Sequence, residues 1–157
     1  MNWEAIGAIG ELLGALAVVL TLGYLAVQVR QNTRGMKVAA KLEITKQHSE
    51  YTDLILLNPE LFDLQTKGRS GEDLSEIEWA RFSLLMQRAT WHFSSMHYQY
   101  RAQALSAEEW YESQRLIDWF TLAPGYRSWW DKNAINYSAD FRNYVNENFG
   151  SKGAKHS

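Results

Sequence analysis

The run AIGAIGELLGALAVVLTLGYLAVQV, from Ala5 to Val29, is apolar apart from Glu11, Thr21, Tyr24 and Gln28. At helical rise it extends roughly 37 Å, enough to cross a hydrocarbon core of about 30 Å with some tilt. Between Leu12 and Leu20 it is apolar on every side, whereas a surface helix of a soluble fold keeps a polar face. A cleaved signal peptide fits poorly. Its leader, MNWE, is acidic, and the run ends in VQVRQNTR with no small-residue cleavage site. The run is therefore expected to be a transmembrane helix.

Charge orients it. Arg30, Arg34, Lys37, Lys41 and Lys46 follow the run closely and no basic side chain precedes it, so the positive-inside bias places the following flank in the cytoplasm and the amino terminus outside. Trp3 and Tyr24 fall near the two ends, where amphipathic rings favour the headgroup layer. Arg30, Arg34, Lys37 and Lys41 share one side of a helix at spacings of three and four. They suit contact with anionic headgroups, with a plain solvated flank as the alternative.

Within the span, Glu4, Gly7, Glu11, Gly14, Val18, Thr21, Leu25 and Gln28 recur at alternating steps of three and four and form one stripe. Small residues let helices approach in lipid, and polar side chains gain by facing another helix, so the stripe is expected to be a seam between parallel copies. Glu11 carries two readings. In one, a ring of carboxylates in a homo-oligomer lines a cation path. In the other, the hydrocarbon segment is Leu12 to Val29, about eighteen residues, and Glu11 reaches back to water.

The remainder reads as one helical unit. Net charge is -2, too balanced for a nucleic-acid binder. Absence of cysteine excludes disulfides and thiolate chemistry. Seven Trp, eight Tyr and six Phe supply most of the area that a small core can bury. No Pro interrupts the chain from the span to Pro59, so the first helix is expected to continue to about Leu57, with Gly35 a place for a bend and a mixed apolar face through Val38, Leu42 and Ile44. PELFDLQTKG restarts a helix for two turns, and GRSGED reads as a loop.

Ser75 with Glu78 forms a capping box opening a long central helix to about Ala104, its core side being Phe82, Leu85, Met86, Ala89, Phe93, Met96 and Tyr100. A second box, Ser106 with Glu109, opens a helix burying Trp110, Leu116, Ile117 and Phe120 and stopped by Ala123, Pro124 and Gly125. YRSWWDKN gives a short helix on which Trp129 and Trp130 point different ways; aromatic positions at helical spacing are core first, with an exposed partner anchor as the alternative for one of the two. Ser138 caps a last helix through Phe141, Tyr144 and Val145 to about Gly150. The expected fold is thus all-α, an N-terminal transmembrane helix running into a small cytoplasmic helical bundle. Residues 1–30 are the span, 31–57 its helical extension, 58–150 the helical domain and 151–157 a loose tail.

The chain offers little catalytic vocabulary. His92 and His97 are five apart and share no helix face, no Glu precedes either by three, and neither HExxH nor a phosphate-binding glycine loop occurs. Glu108, Glu109 and Glu112 sit in the first turns of a helix, where acidic groups meet the dipole favourably. No catalytic residue, metal ligand or cofactor site is therefore assigned, and the chain is not expected to be an enzyme.

The segments YLAVQVRQNTR, NPELFDLQTKG, LSEIEWARFSLL, HYQYRAQALSAEEW and PGYRSWWDKN, taken in this order, resemble a group of small bacterial membrane-anchored proteins of unassigned function. The resemblance spans nearly the whole chain. It implies a bacterial inner-membrane helix bearing a helical domain and carries over no catalytic residues. The expected function is a self-associating scaffold or interaction protein in the lipid bilayer with a further protein partner, or, alternatively, a homo-oligomeric cation pore lined by Glu4, Glu11, Thr21 and Gln28.

Overall fold

The computed structural model describes residues 3–153, and they are helical almost throughout, with no strand among them. Six α-helices follow in order: α1 (Trp3–Leu56), α2 (Pro59–Ser70), α3 (Glu76–Arg101), α4 (Ala107–Thr121), α5 (Pro124–Asn133) and α6 (Ala139–Gly153). A 3-10 turn, Ala134–Asn136, separates the last two.

The chain divides into two units, Met1–Ala39 and Ala40–Ser157. The first is a single helical segment. Among its described side chains none is buried, from Trp3 to Ala39. One long apolar helix near the N-terminus, long enough to cross a membrane, is thus present, its described side chains exposed. The boundary falls inside what composition marks as a helical extension over residues 31–57. Beyond Ala40, Ile44, Tyr51, Leu54 and Ile55 pack on the bundle core, while Val38 and Leu42 are exposed. The expected face through Val38 and Leu42 is corrected accordingly: the buried side is rotated toward the larger residues at 51, 54 and 55.

In the second unit α3 is the hub, touching α2, α4, α5 and α6. Both capping boxes form, with Glu78 N–H donating to Ser75 Oγ and Glu109 N–H to Ser106 Oγ while each glutamate side chain accepts from the Ser backbone N–H. The α3 core side is Phe82, Leu85, Met86, Ala89, Phe93 and Met96, all buried, with Tyr100 half-buried. From α4, Trp110, Ile117 and Phe120 are buried and Leu116 is half-buried. Ser138 Oγ accepts from Phe141 N–H at the start of α6. That helix runs on to Gly153, past the Gly150 at which the sequence pattern ends, and residues 154–157 of the expected tail lie outside the described residues.

Three local expectations are revised. GRSGED is not wholly a loop: α2 continues through Gly68, Arg69 and Ser70 and closes at Gly71, whose φ of 83° is left-handed. Gly71 N–H donates to the Gly68 carbonyl and Glu72 N–H to that of Lys67, a Schellman closure. Gly68 is instead a packing glycine, since a Cβ there would fall on the Phe82 ring. Secondly, Pro124 does more than stop α4, which ends at Thr121. It occupies the first turn of α5, where its missing N–H costs nothing.

Thirdly, neither Trp129 nor Trp130 is exposed; they are 1% and 2% accessible. Adjacent residues on a helix do point about 100° apart. The short helix α5, however, is enclosed by α2, α3 and α4. Each indole N–H also has a partner: Trp129 Nε1 donates to Ser83 Oγ at 2.8 Å and Trp130 Nε1 to Asn146 Oδ1 at 2.9 Å. Tyr126 completes the buried cluster, its hydroxyl 3.0 Å from Thr90 Oγ1 inside the core.

Candidate functional site

In the first unit the stripe residues Glu4, Gly7, Glu11, Gly14, Val18, Thr21, Leu25 and Gln28 are all exposed. Two of its polar side chains close bonds within the helix. Thr21 Oγ1 donates to the Ala17 carbonyl at 2.8 Å, and Gln28 Nε2 donates to Tyr24 Oη at 2.7 Å. Both hydrogen-bonding needs are thus met without a second helix, in part. Glu4 and Glu11 have no such partner among the described residues. A Cβ on Gly7, Gly10 or Gly14 would meet nothing within 4 Å, so their surface is open to the approach of another chain.

Of the basic flank, Arg30, Arg34 and Lys37 make no ion pair among the described residues. Lys41 lies beyond the unit boundary, and its Nζ is 3.2 Å from Glu109 Oε1. Glu109 is accordingly a structural carboxylate. Its pKa is lowered first by the Ser106 backbone N–H, then by the Ser106 hydroxyl and Lys41.

The second unit contains a cavity of about 580 Å³ walled by residues 47–56 of α1 and by α2, α3 and α4. This is the size of an ordinary small-molecule site. Its floor is Ile55, Ala89, Phe93 and Phe120, all buried, and its rim carries Leu56, Phe62, Trp91 and Trp119, all more than half exposed. Large apolar groups left in water around a concavity are the uncommon observation, since the other described Trp and Phe rings of the unit are buried or half-buried.

Polar groups line one side. Gln47 Nε2 donates to Glu43 Oε1 at 2.8 Å, a carboxylate oxygen that can only accept. The Gln47 carbonyl oxygen is therefore the atom that faces His92 Nδ1, at 3.0 Å, and the ring nitrogen must be the donor. Burial, and secondarily the charge of nearby His48, pulls His92 down to about 4. At neutral pH its proton therefore sits on Nδ1, an assignment made from this network, and Nε2 is a bare lone pair. That Nε2 is buried with no hydrogen-bond partner. The His48 ring stacks against His92 with centroids 6.5 Å apart.

The other polar liners are engaged among themselves. Tyr51 Oη accepts from Gln65 Nε2 at 2.9 Å, and burial pushes its pKa up to about 12, so it stays a neutral phenol. Glu50 lies 3.8 Å from Lys46 Nζ and 4.0 Å from Arg88. Trp119 is fixed from behind by Arg69, whose Cζ stands 3.7 Å over the indole centroid and whose Nη2 donates to the Trp119 carbonyl at 2.9 Å.

None of these cavity residues stands out by motif. The usable signal was Trp91 and Trp119, large rings at helix positions outside the core stripes of α3 and α4. His97, the other histidine of interest, is packed among Trp110, Phe141 and Tyr144 and belongs to the core. Among the described residues no cluster of three or more His, Asp or Glu side chains is placed to hold a metal ion. No protein-family model, curated protein sequence or solved structure matches the chain.

Proposed function

We propose that this is a bacterial inner-membrane protein, anchored and self-associating through its N-terminal helix, that holds its helical unit in the cytoplasm as an interaction or scaffold module. The reading rests on one observation above others: from Ile6 to Val29 every described side chain is exposed, on all faces of the helix. Apolar side chains gain about 25 cal/mol per Å² on leaving water, and this surface is left open among the described residues, which supports burial in lipid and against other copies.

The stripe supports association. Gly7, Gly10 and Gly14 leave backbone open to close approach, and Glu4 and Glu11 gain most from a polar neighbour in a low-dielectric setting. Arg30, Arg34 and Lys37, unpaired within the described chain, support a cytoplasmic flank against anionic headgroups. The resemblance to small membrane-anchored bacterial proteins agrees with the same arrangement.

Native mass spectrometry of the detergent-extracted chain tests the association. A defined oligomer is expected for wild type and for Leu13→Val, off the stripe, with loss of the oligomer in Gly14→Leu. A Cβ at position 14 meets nothing within 4 Å among the described residues, so the loss reads the interface. A monomer in wild type, or equal behaviour of the two variants, rejects the seam.

A further inference from the structure

The cavity of the second unit is the feature that an anchoring or scaffolding role leaves unused. Its lining divides chemically into two parts. Phe62, Trp91, Phe93, Trp119 and Phe120 present ring faces and edges, the surface on which flat π-systems pack by offset or edge-to-face contact. The polar liners Gln47, Glu50, Tyr51, Thr52 and Ser95 each already hold a partner within the chain. Among the described lining residues, only His92 carries a buried polar atom with no partner, its Nε2.

That atom has a definite sign. Because Glu43 fixes the Gln47 amide and the amide oxygen fixes the proton on His92 Nδ1, Nε2 can only accept. A ligand that completes this site is therefore mostly aromatic and brings one donor. A charged head is not called for, since Glu50 and Arg88 at the polar side neutralise each other. An aliphatic chain would fill the space and leave Nε2 unsatisfied, and a buried polar atom left without a partner is unfavourable.

We infer that the cavity binds a flat, neutral aromatic molecule bearing a hydroxyl, such as a phenol, naphthol or quinol, with its rings between Trp91 and Trp119 and its O–H donating to His92 Nε2. His48, exposed and stacked on the His92 ring, lines the same cavity.

The test uses the full chain in nanodiscs, with empty discs subtracted, and two fluorine-labelled probes followed by fluorine NMR. Fluoronaphthol carries the donor and fluoronaphthalene lacks it. Wild type is expected to bind the naphthol on the order of tenfold more tightly than the hydrocarbon, the scale of one hydrogen bond to a buried acceptor. His92→Phe, which keeps the ring and removes the acceptor, is expected to bind both probes alike. Thr52→Trp, at an exposed position on the cavity wall, fills the space without touching the core and is expected to abolish binding of both. Equal affinity of wild type for the two probes, or a preference that survives His92→Phe, overturns the inference, as does naphthol binding that persists in Thr52→Trp. Binding no greater than in empty discs overturns it as well.

Discussion

Replacing Gly125 by alanine sets a favourable local term against a neighbour that cannot move. Alanine in a helix interior is about 0.5–1 kcal/mol better than glycine, and at the second residue of α5 the gain is at the lower end of that range. Against it stands the crossing of α5 over α2, where a Cβ on Gly125 would coincide with the Gly68 carbonyl oxygen and lie 3.2 Å from Arg69 Cα. Both are backbone atoms inside a hydrogen-bonded helix, so no rotamer change relieves the overlap and the two helices must separate. Overpacking of this kind costs about 1–3 kcal/mol. The separation also loosens Trp129 and Trp130, which α5 holds against Ser83 and Asn146. The net expectation is destabilisation of about 1–2 kcal/mol, a fall in Tm of roughly 4–8 °C for a unit of this size.

Urea unfolding followed by tryptophan fluorescence, on the full chain in a non-ionic detergent, measures it. Gly35→Ala is the matched control, since a Cβ there meets nothing within 4 Å. It should leave the midpoint unchanged or slightly raised. A Gly125→Ala protein as stable as wild type would refute the close crossing of α2 and α5.

Other perturbations follow from the same structure. Gln103 is the one described non-glycine residue with a left-handed φ, 58°, so Gln103→Gly should raise stability by about 0.5 kcal/mol, the strain of roughly 1–2 less the entropy that glycine loses; a lower urea midpoint would contradict this. Ser106→Ala removes the cap of α4 and should lower stability by about 1 kcal/mol in the same assay. Arg69→Met keeps the stem but loses the guanidinium over Trp119 and the bond to its carbonyl, which should lower stability by about 1–2 kcal/mol and change the emission of an exposed tryptophan. His92 is held near 4 when folded against 6.5 when unfolded, so the unfolded chain binds the extra proton between those values. Stability should therefore fall as pH drops from 6.5 toward 4 and level off below. His97, also lowered by burial, acts in the same direction, so His92→Gln should flatten the slope without removing it.

Helix starts were the most legible part of the chain because their chemistry is local. Two Ser–Glu boxes and a Ser cap place the beginnings of α3, α4 and α6, and the residues three and four apart behind them do face the core. Glycine was ambiguous for the opposite reason. Gly68 and Gly71 are three residues apart, yet one is there so that a phenylalanine ring and another helix can approach, and the other so that the backbone can turn left-handed. Only the position of α3 and α5 separates the two uses. That both Trp129 and Trp130 are core was hard to read for a similar cause: a helical period assigns one buried face, and a helix enclosed on several sides has more than one. Of the cavity only Trp91 and Trp119, large rings off the core stripes, left a trace in the sequence; its polar side depends on Gln47 meeting His92 from another helix, a pairing forty-five positions apart.

The account depends most on the helix from Ile6 to Val29 lying in lipid with its basic flank in the cytoplasm. The chain has no cysteine, so single cysteines can be introduced and labelled in intact bacteria with a membrane-impermeant maleimide. Glu4→Cys should label from outside, Lys37→Cys only after the inner membrane is permeabilised, and Ala15→Cys only after detergent dissolves the bilayer. Labelling of Ala15→Cys at the rate of Lys37→Cys in permeabilised cells would mean that the apolar helix is in water or against protein, and would contradict the anchor itself.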